Sequence, residues 1–183
     1  MREELKKIVS NEYWVYGLHE ADFDYILRLT REYINCRLEE LEKEKQKAIS
    51  RYSEAEIHGE IISDLGHYTW VDAQYLWQFC LWRFQGIFEA LIIHTFLPVK
   101  PSKQMFGLRS KLNAIKASGY SITEEEYTEL IEWVNLWNAL SHSPPEQFAP
   151  GPLRESDVIE YKEFLETLCR RWRMEERVVK NLP

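Results

Sequence analysis

The chain is poor in the residues that interrupt or cross-link a fold. Its 183 residues include only 7 glycines, 7 prolines and 3 cysteines. So few glycines and prolines disfavour a turn-rich β fold and favour long helices. Cys36, Cys80 and Cys169 are odd in number, far apart and without CxxC spacing. This pattern argues against a structural disulfide or a thiolate zinc site, and it predicts a reducing, cytoplasmic compartment.

Long uncharged apolar stretches are also missing. Residues 1–10 are charged and lack the apolar segment of a signal peptide, so we expect none. The most apolar segment, residues 69–97, contains Asp72, Arg83 and Glu89. No uncharged stretch in it reaches the ~18–20 residues that a spanning helix needs. We therefore expect no membrane partner, and we interpret this segment as a long, buried, central helix.

Apolar and aromatic residues are plentiful. They make up 45% and 14% of the chain, with 7 tryptophans, which excludes a disordered protein and suffices for one core. The net charge of −7 argues against a large non-specific nucleic-acid surface. The charge is uneven, however, because residues 67–122 carry 6 basic and 2 acidic side chains, whereas residues 123–168 carry 2 and 11. A basic face can therefore exist on an acidic chain.

Helical spacing of apolar residues predicts a single all-α domain over residues 1–183, a bundle of five to seven helices. One helix begins near Asp22, and its apolar pattern continues to Gly66, with Gly59 as a candidate break. The later boundaries follow from capping and helix-stopping residues. They predict helices over 69–97, 103–117, 124–142 and 155–180, with Gly119 ending the second and Thr123 and Glu126 forming a capping box before the third.

Two polar stripes interrupt the apolar pattern. Asn135, Asn138 and His142 fall on one side of the helix over 124–142, whose other positions are apolar around most of the circumference. The central helix has a second stripe, and Arg83 is the only basic residue along its middle. Buried polar groups need partners, so we hypothesise that the two stripes face each other or a second subunit. The second stripe consists of Gln74, Gln78, Gln85 and Glu89.

The segment from Trp137 to His142 resembles the end of the third helix in the HEPN superfamily. That family's motif is an Arg, then commonly an Asn, and a His a few residues further on. The resemblance covers residues 69–143, the HEPN-like core, where Arg83–Leu97 resembles the preceding long helix and Leu108–Ala117 the short connecting helix. The resemblance implies an all-α homodimer that binds or cleaves RNA at a dimer cleft without a metal ion or other cofactor.

This chain departs from the family motif at one position. Trp137 stands where the Arg belongs, and a Trp cannot make the charged, bidentate contact that a phosphorane needs. Asn138 and His142 match the catalytic positions. The expectation is therefore a degenerate, non-catalytic relative that is linked to nucleic-acid metabolism and binds RNA or a nucleotide as a homodimer. Asn135, Glu89, Gln85 and Arg83 are the candidate binding residues.

Other interpretations stay open. His142 can instead be a helix C-cap, the asparagines can bridge helices, and the tryptophans can be core or interface residues. The histidines lack HxxxH or HxH spacing, so no metal site is predicted from them.

The second functional possibility is an all-α, magnesium-dependent nucleotide pyrophosphatase, which would need converging carboxylates. A scaffold without an active site is the third possibility. The acids for the magnesium alternative are Glu32, Glu39, Glu40, Glu54, Glu56, Glu60 and Asp64.

Overall fold

The computed structural model describes residues 19–51, 55–97, 107–141 and 151–179. Within these ranges every regular element is helical, which confirms the predicted all-α bundle. A single π-helical turn, Ile92–Phe96, continues the second helix. The five α-helices are α1 (Ala21–Arg51), α2 (Ala55–Leu91), α3 (Gly107–Ala117), α4 (Glu124–Ser141) and α5 (Glu155–Val179).

α1 and α2 form an antiparallel pair along most of their length. Phe23 near the start of α1 packs edge-on against Phe84 with 5.5 Å between ring centroids. Further along α1, Arg37 binds Asp72 at 2.9 Å from its Nε. Phe23 contacts a late residue of α2, whereas Arg37 contacts an early one. The two helices therefore run in opposite directions. The apolar side of α1 is thereby buried against α2.

The central helix is longer than predicted. α2 has 37 residues and runs unbroken through Gly59 and Gly66, so the predicted break at Gly59 and start at Thr69 are wrong. A glycine in a helix interior costs only about 1 kcal/mol, and packing against α1 outweighs that. The burial of α2 is one-sided: Trp77, Cys80 and Phe84 are buried, whereas its opposite face is exposed to solvent.

Local capping signals fix the ends of α3 and α4 as predicted. Gly119 has φ = 94°, and the amide of Tyr120 donates to Ile115 O at 3.3 Å, which closes α3 with a glycine C-cap. At the start of α4, the Glu126 amide donates to Thr123 Oγ1 at 3.1 Å. The Thr123 amide donates in return to Glu126 Oε2 at 2.9 Å. This reciprocal pair is the predicted capping box.

An aromatic cluster joins α5 to α2 and the loop after α3. Trp172 is fully buried, stacks on Phe88 at 5.8 Å and meets Phe96 edge-on at 5.4 Å. Its indole N–H donates to Ser121 O at 2.7 Å. The π-helical turn, closed by the Leu97 amide on Ile92 O at 3.0 Å, precedes the loop and ends with Phe96 buried in this cluster. Among the described residues, no helix is both long and apolar enough to cross a bilayer.

Candidate functional site

The candidate motif lies at the C-terminal end of α4. Asn135 and Asn138 are both exposed, one turn apart on the outer side of the helix. They therefore need no buried partner, contrary to the expectation that the polar groups of this helix are buried and paired. α4 ends at Ser141, and His142, the predicted catalytic histidine, lies outside the described residues.

Trp137, which the predicted resemblance places at the position of an Arg, turns toward the protein. Its side chain is partly buried, and its indole nitrogen is shielded from solvent. Asn135 and Asn138 flank it in sequence but face outward. Trp137 is thus directed inward, while its polar neighbours remain accessible.

The second predicted stripe is partly an internal polar network. Gln85 is buried, accepts a hydrogen bond from the Tyr161 hydroxyl, and donates to Glu89 Oε1 at 2.6 Å. Glu89 also forms an ion pair with Lys111 of α3, whose side chain is 8% exposed. Burial and the nearby Glu89 charge raise the pKa of Tyr161, so the phenol stays protonated as the donor. Gln85 and Glu89 therefore join α2 to α3 and α5.

Two members of this network were missed by the sequence analysis. Lys111 lies at helical spacing with Leu108, Leu112 and Ile115, which form the apolar side of α3. A charged residue at such a position signals a buried pair. Tyr161 is likewise spaced with the apolar side of α5. The buried residues of that side are Val158, Tyr161, Leu165, Leu168 and Trp172.

The other glutamines of the second predicted stripe face the segment before α5. The Gln74 side-chain amide pairs with the backbone of Leu153, donating to Leu153 O at 3.0 Å and accepting from Leu153 N at 2.8 Å. Gln78 lines a shallow groove beside Leu140 and Pro152. Gln85 thus binds Glu89 and Tyr161, and Gln74 binds the Leu153 backbone, so neither glutamine binds the exposed asparagines. Among the described residues, Asn135 and Asn138 form no hydrogen bond with the second stripe, and a contact with a second subunit stays a prediction.

Arg83 is only partly buried, and it has no ion-pair partner among the described residues. Arg83 lies on the opposite side of α2 from Gln85, because the two positions are about 200° apart around the helix axis. Arg109 of α3 is exposed and is also without a carboxylate partner in the described part of the chain. Arg83 and Arg109 are therefore two guanidiniums of the described residues that no carboxylate neutralises.

Acidic side chains gather in an open groove between α4 and α5. Its volume is about 800 Å³, and Glu129, Glu132 and Glu160 are among its lining residues. A groove of this charge repels a phosphate backbone. Within the ranges that the structure describes, no group of three or more His, Cys, Asp or Glu side chains is placed to hold a metal ion. Of the acids named for the magnesium alternative, Glu54 and Glu56 have side chains outside that description.

The two buried cysteines, Cys80 and Cys169, do not form a nucleophilic site. All three cysteines of the chain are free, and Cys80 and Cys169 are buried. Burial raises the pKa of Cys80 to about 11, and burial likewise raises the pKa of Cys169. Both thiols are therefore protonated near neutral pH, where a thiol nucleophile needs to be ionised.

Comparison of the chain with protein-family models, with characterised proteins and with solved structures gave no match. The HEPN relationship therefore remains a prediction that depends on the motif at the end of α4. The fold itself is established from the helices described above.

Proposed function

We propose that this protein is a degenerate, HEPN-like helical protein that binds RNA without cleaving it, and that it acts as a homodimer in the cytoplasm. The observation that carries the proposal is the joint exposure of Asn135 and Asn138 on the outer side of α4. Asparagine amides both donate and accept hydrogen bonds, so the pair suits bases, ribose hydroxyls and phosphate oxygens.

The same helix supports binding rather than catalysis. RNA cleavage needs a positive group that stabilises the charge developing on the phosphate. Trp137 occupies that place with its indole nitrogen buried, so it offers the phosphate no charge. Arg83 and Arg109 are the candidates for attracting the backbone electrostatically, which suffices for binding. The acidic groove between α4 and α5 repels RNA from its own stretch of α4.

RNA binding is measured by the fluorescence anisotropy of a labelled single-stranded RNA at low ionic strength. The wild-type chain is expected to bind, and the Asn135→Ala/Asn138→Ala variant to bind about 30-fold more weakly, since two hydrogen bonds of about 1 kcal/mol each are lost. Asn35→Ala on the exposed side of α1 is the matched control and should bind like the wild type. No binding by the wild type, or an equal loss in the control, contradicts the proposal.

Catalysis is tested separately by incubating RNA with the protein in EDTA. The proposal expects no cleavage by the wild type or by Trp137→Arg, which restores the family's residue at an inward-facing position. Metal-independent cleavage by the wild type that disappears in His142→Ala would replace the binding proposal with a ribonuclease. Cleavage that requires Mg²⁺ and survives His142→Ala would instead favour the magnesium-dependent hydrolase.

An interaction module is the second candidate, because one observation favours it independently of the motif. α2 exposes several large aromatic side chains, including Tyr75 and Trp82, on the side away from the core. Trp82 was expected to be a core or interface residue. It is half exposed and therefore available for contact with another molecule.

A further inference from the structure

The outer side of α2 presents a continuous aromatic strip. Tyr68, Tyr75, Phe79 and Trp82 are 65%, 68%, 43% and 50% exposed. Their spacings of seven, four and three residues place them on one side of the helix, and Gly86 continues the series four residues later. We call these five residues the α2 stripe. It lies between the α1 contact at Asp72 and the α5 contact at Gln85.

The exposed rings of the α2 stripe supply about half of the area of a protein interface. An aromatic side chain presents about 150–250 Å² when it is fully exposed, so four half-exposed rings offer roughly 400 Å². That is about half of the ~800 Å² that each partner buries in a specific complex. Flanking side chains such as Val71 and Gln78 lie beside the rings and would supply the remainder.

Gly86 is not required by packing among the described residues of its own chain. A Cβ atom placed there would meet nothing within 4 Å, so no neighbour in the chain requires a glycine. An exposed glycine in a helix interior costs about 1 kcal/mol relative to alanine. Gly86 is the glycine of α2 that shares a side with the exposed rings, and the lack of a side chain there leaves a shallow gap at the end of the stripe.

The stripe is complementary to itself when two copies run antiparallel. A two-fold axis at the level of residue 77 pairs position 75 with 79 and position 68 with 86. Tyr75 then lies against the second copy's Phe79, and Tyr68 covers the gap at Gly86. Reciprocal contacts of this kind are what a two-fold interface requires.

Charge also favours the antiparallel arrangement. Arg83 and Asp72 are eleven residues apart, which places them on the same edge of the stripe, the edge that faces α1. An antiparallel two-fold keeps this edge beside its own copy and brings Arg83 level with position 71 of the second copy, one residue from its Asp72. Arg83 has no carboxylate partner in the described chain. A parallel two-fold would instead put this edge against the opposite edge of the second copy, away from its Asp72.

We infer that the α2 stripe is the interface of the homodimer, formed by two antiparallel copies of α2 that cross near residue 77. The inference rests on the homodimer of the proposed function and adds its surface and its register.

Sedimentation equilibrium of the full chain tests the surface, from micromolar to submillimolar concentrations. The wild type is expected to dimerise, and Phe79→Glu to raise the dimer dissociation constant at least about 30-fold, as for a central interface residue. Circular dichroism should stay unchanged, since Phe79 is 43% exposed in the monomer. Tyr33→Glu, at a 58% exposed tyrosine of α1, is the control and should remain dimeric.

The outcomes separate the inference from the proposed function. A dimer that survives Phe79→Glu overturns the inference and leaves the homodimer intact. A wild-type chain that is monomeric at all concentrations overturns both the inferred interface and the proposed homodimer. A monomer that binds lipid vesicles through Phe79 shows that the α2 stripe contacts a membrane, which also overturns the interface and the homodimer. RNA binding by the Phe79→Glu monomer reports on the nucleic-acid proposal alone.

The register is tested by the distance between spin labels on Ser63→Cys in a Cys36→Ser background. Ser63 and Cys36 are exposed, whereas Cys80 and Cys169 are buried and remain unlabelled. An antiparallel pair centred at residue 77 separates the two labels by about 40 Å along the helix, at 1.5 Å per residue. A distance below about 20 Å indicates a parallel pair and overturns the inferred arrangement.

Discussion

Lys111 of α3 forms an ion pair with Glu89 of α2 at the edge of the core, and the lysine side chain is only 8% exposed. Gln85 binds the same carboxylate at 2.6 Å, and Tyr161 of α5 donates to Gln85. The chain of contacts from Lys111 to Tyr161 therefore crosses three helices and satisfies each polar group inside an apolar environment. Its members depend on one another, which makes it the most sensitive polar feature of the bundle.

Glu89→Leu is expected to destabilise the fold by about 3 kcal/mol, because it leaves the Lys111 ammonium buried without a counter-charge. Urea unfolding followed by circular dichroism measures the loss. Glu89→Leu/Lys111→Met should recover most of it, since a well-packed apolar pair often replaces a buried ion pair without loss. An unchanged free energy of unfolding for Glu89→Leu would show that the contact with Lys111 contributes nothing.

Trp172→Ala is expected to destabilise the fold by about 3–5 kcal/mol, since it empties the centre of the aromatic cluster and leaves Ser121 O without its indole donor. Thermal and urea unfolding provide the measurement. Trp70→Ala is the matched control, because that indole is 51% exposed, and it should cost less than about 1 kcal/mol. Equal losses in the two variants would mean that the cluster is not the core.

Gln74→Leu is expected to release residues 151–154 from α2, because both hydrogen bonds to the Leu153 backbone are lost. We expect a loss of about 1–3 kcal/mol and faster hydrogen exchange at the Leu153 amide. Gln74→Glu keeps the acceptor for that amide and removes only the donor, so its effect should be intermediate. Protection of Leu153 that is equal in all three proteins would contradict this role.

Acid sensitivity should depend on Glu126, which joins the α4 cap to α5. Hydrogen bonds from Arg171, at 2.7 and 2.6 Å, lower the pKa of Glu126 in the folded state. A lowered folded pKa gives stability that is present above the unfolded value of 4.5 and is lost as the pH falls through the folded value. Glu126→Gln should therefore be about 1–2 kcal/mol less stable at pH 7 and lose less stability on acidification.

Free energies of unfolding between pH 7 and pH 3 check this difference. Glu163→Gln replaces an exposed carboxylate of α5 and should follow the wild-type profile. If Glu126→Gln also follows it, the ion pair with Arg171 does not contribute to the pH dependence.

Helix boundaries were predictable wherever a local signal sets them. Gly119 ends α3 and the Thr123–Glu126 box begins α4, because capping involves only residues within one turn of each other. The continuity of α2 through Gly59 and Gly66 was not predictable. It depends on packing against α1, which is distant in sequence, and this packing outweighs the local preference of a glycine.

The candidate site divides in the same way. Spacing and resemblance identified the motif residues Asn135, Trp137 and Asn138. They did not show which of these residues are exposed to solvent. The partner of Glu89 proved to be Lys111, whereas the sequence pattern had been interpreted to place Lys111 off the apolar side of α3. Whether a polar residue is buried, and which residue is its partner, both depend on which helices meet.

By itself, the amino-acid sequence determined the all-α class, the caps and the apolar sides of the helices, since these follow from periodicity and from contacts within a turn. Only the tertiary structure decided which aromatic residues are buried. Trp172 and Trp82 both lie on amphipathic helices, yet one is sealed in the core and the other is half exposed. The difference arises because burial is a property of the space between helices, and a helix has sides that its own chain leaves uncovered.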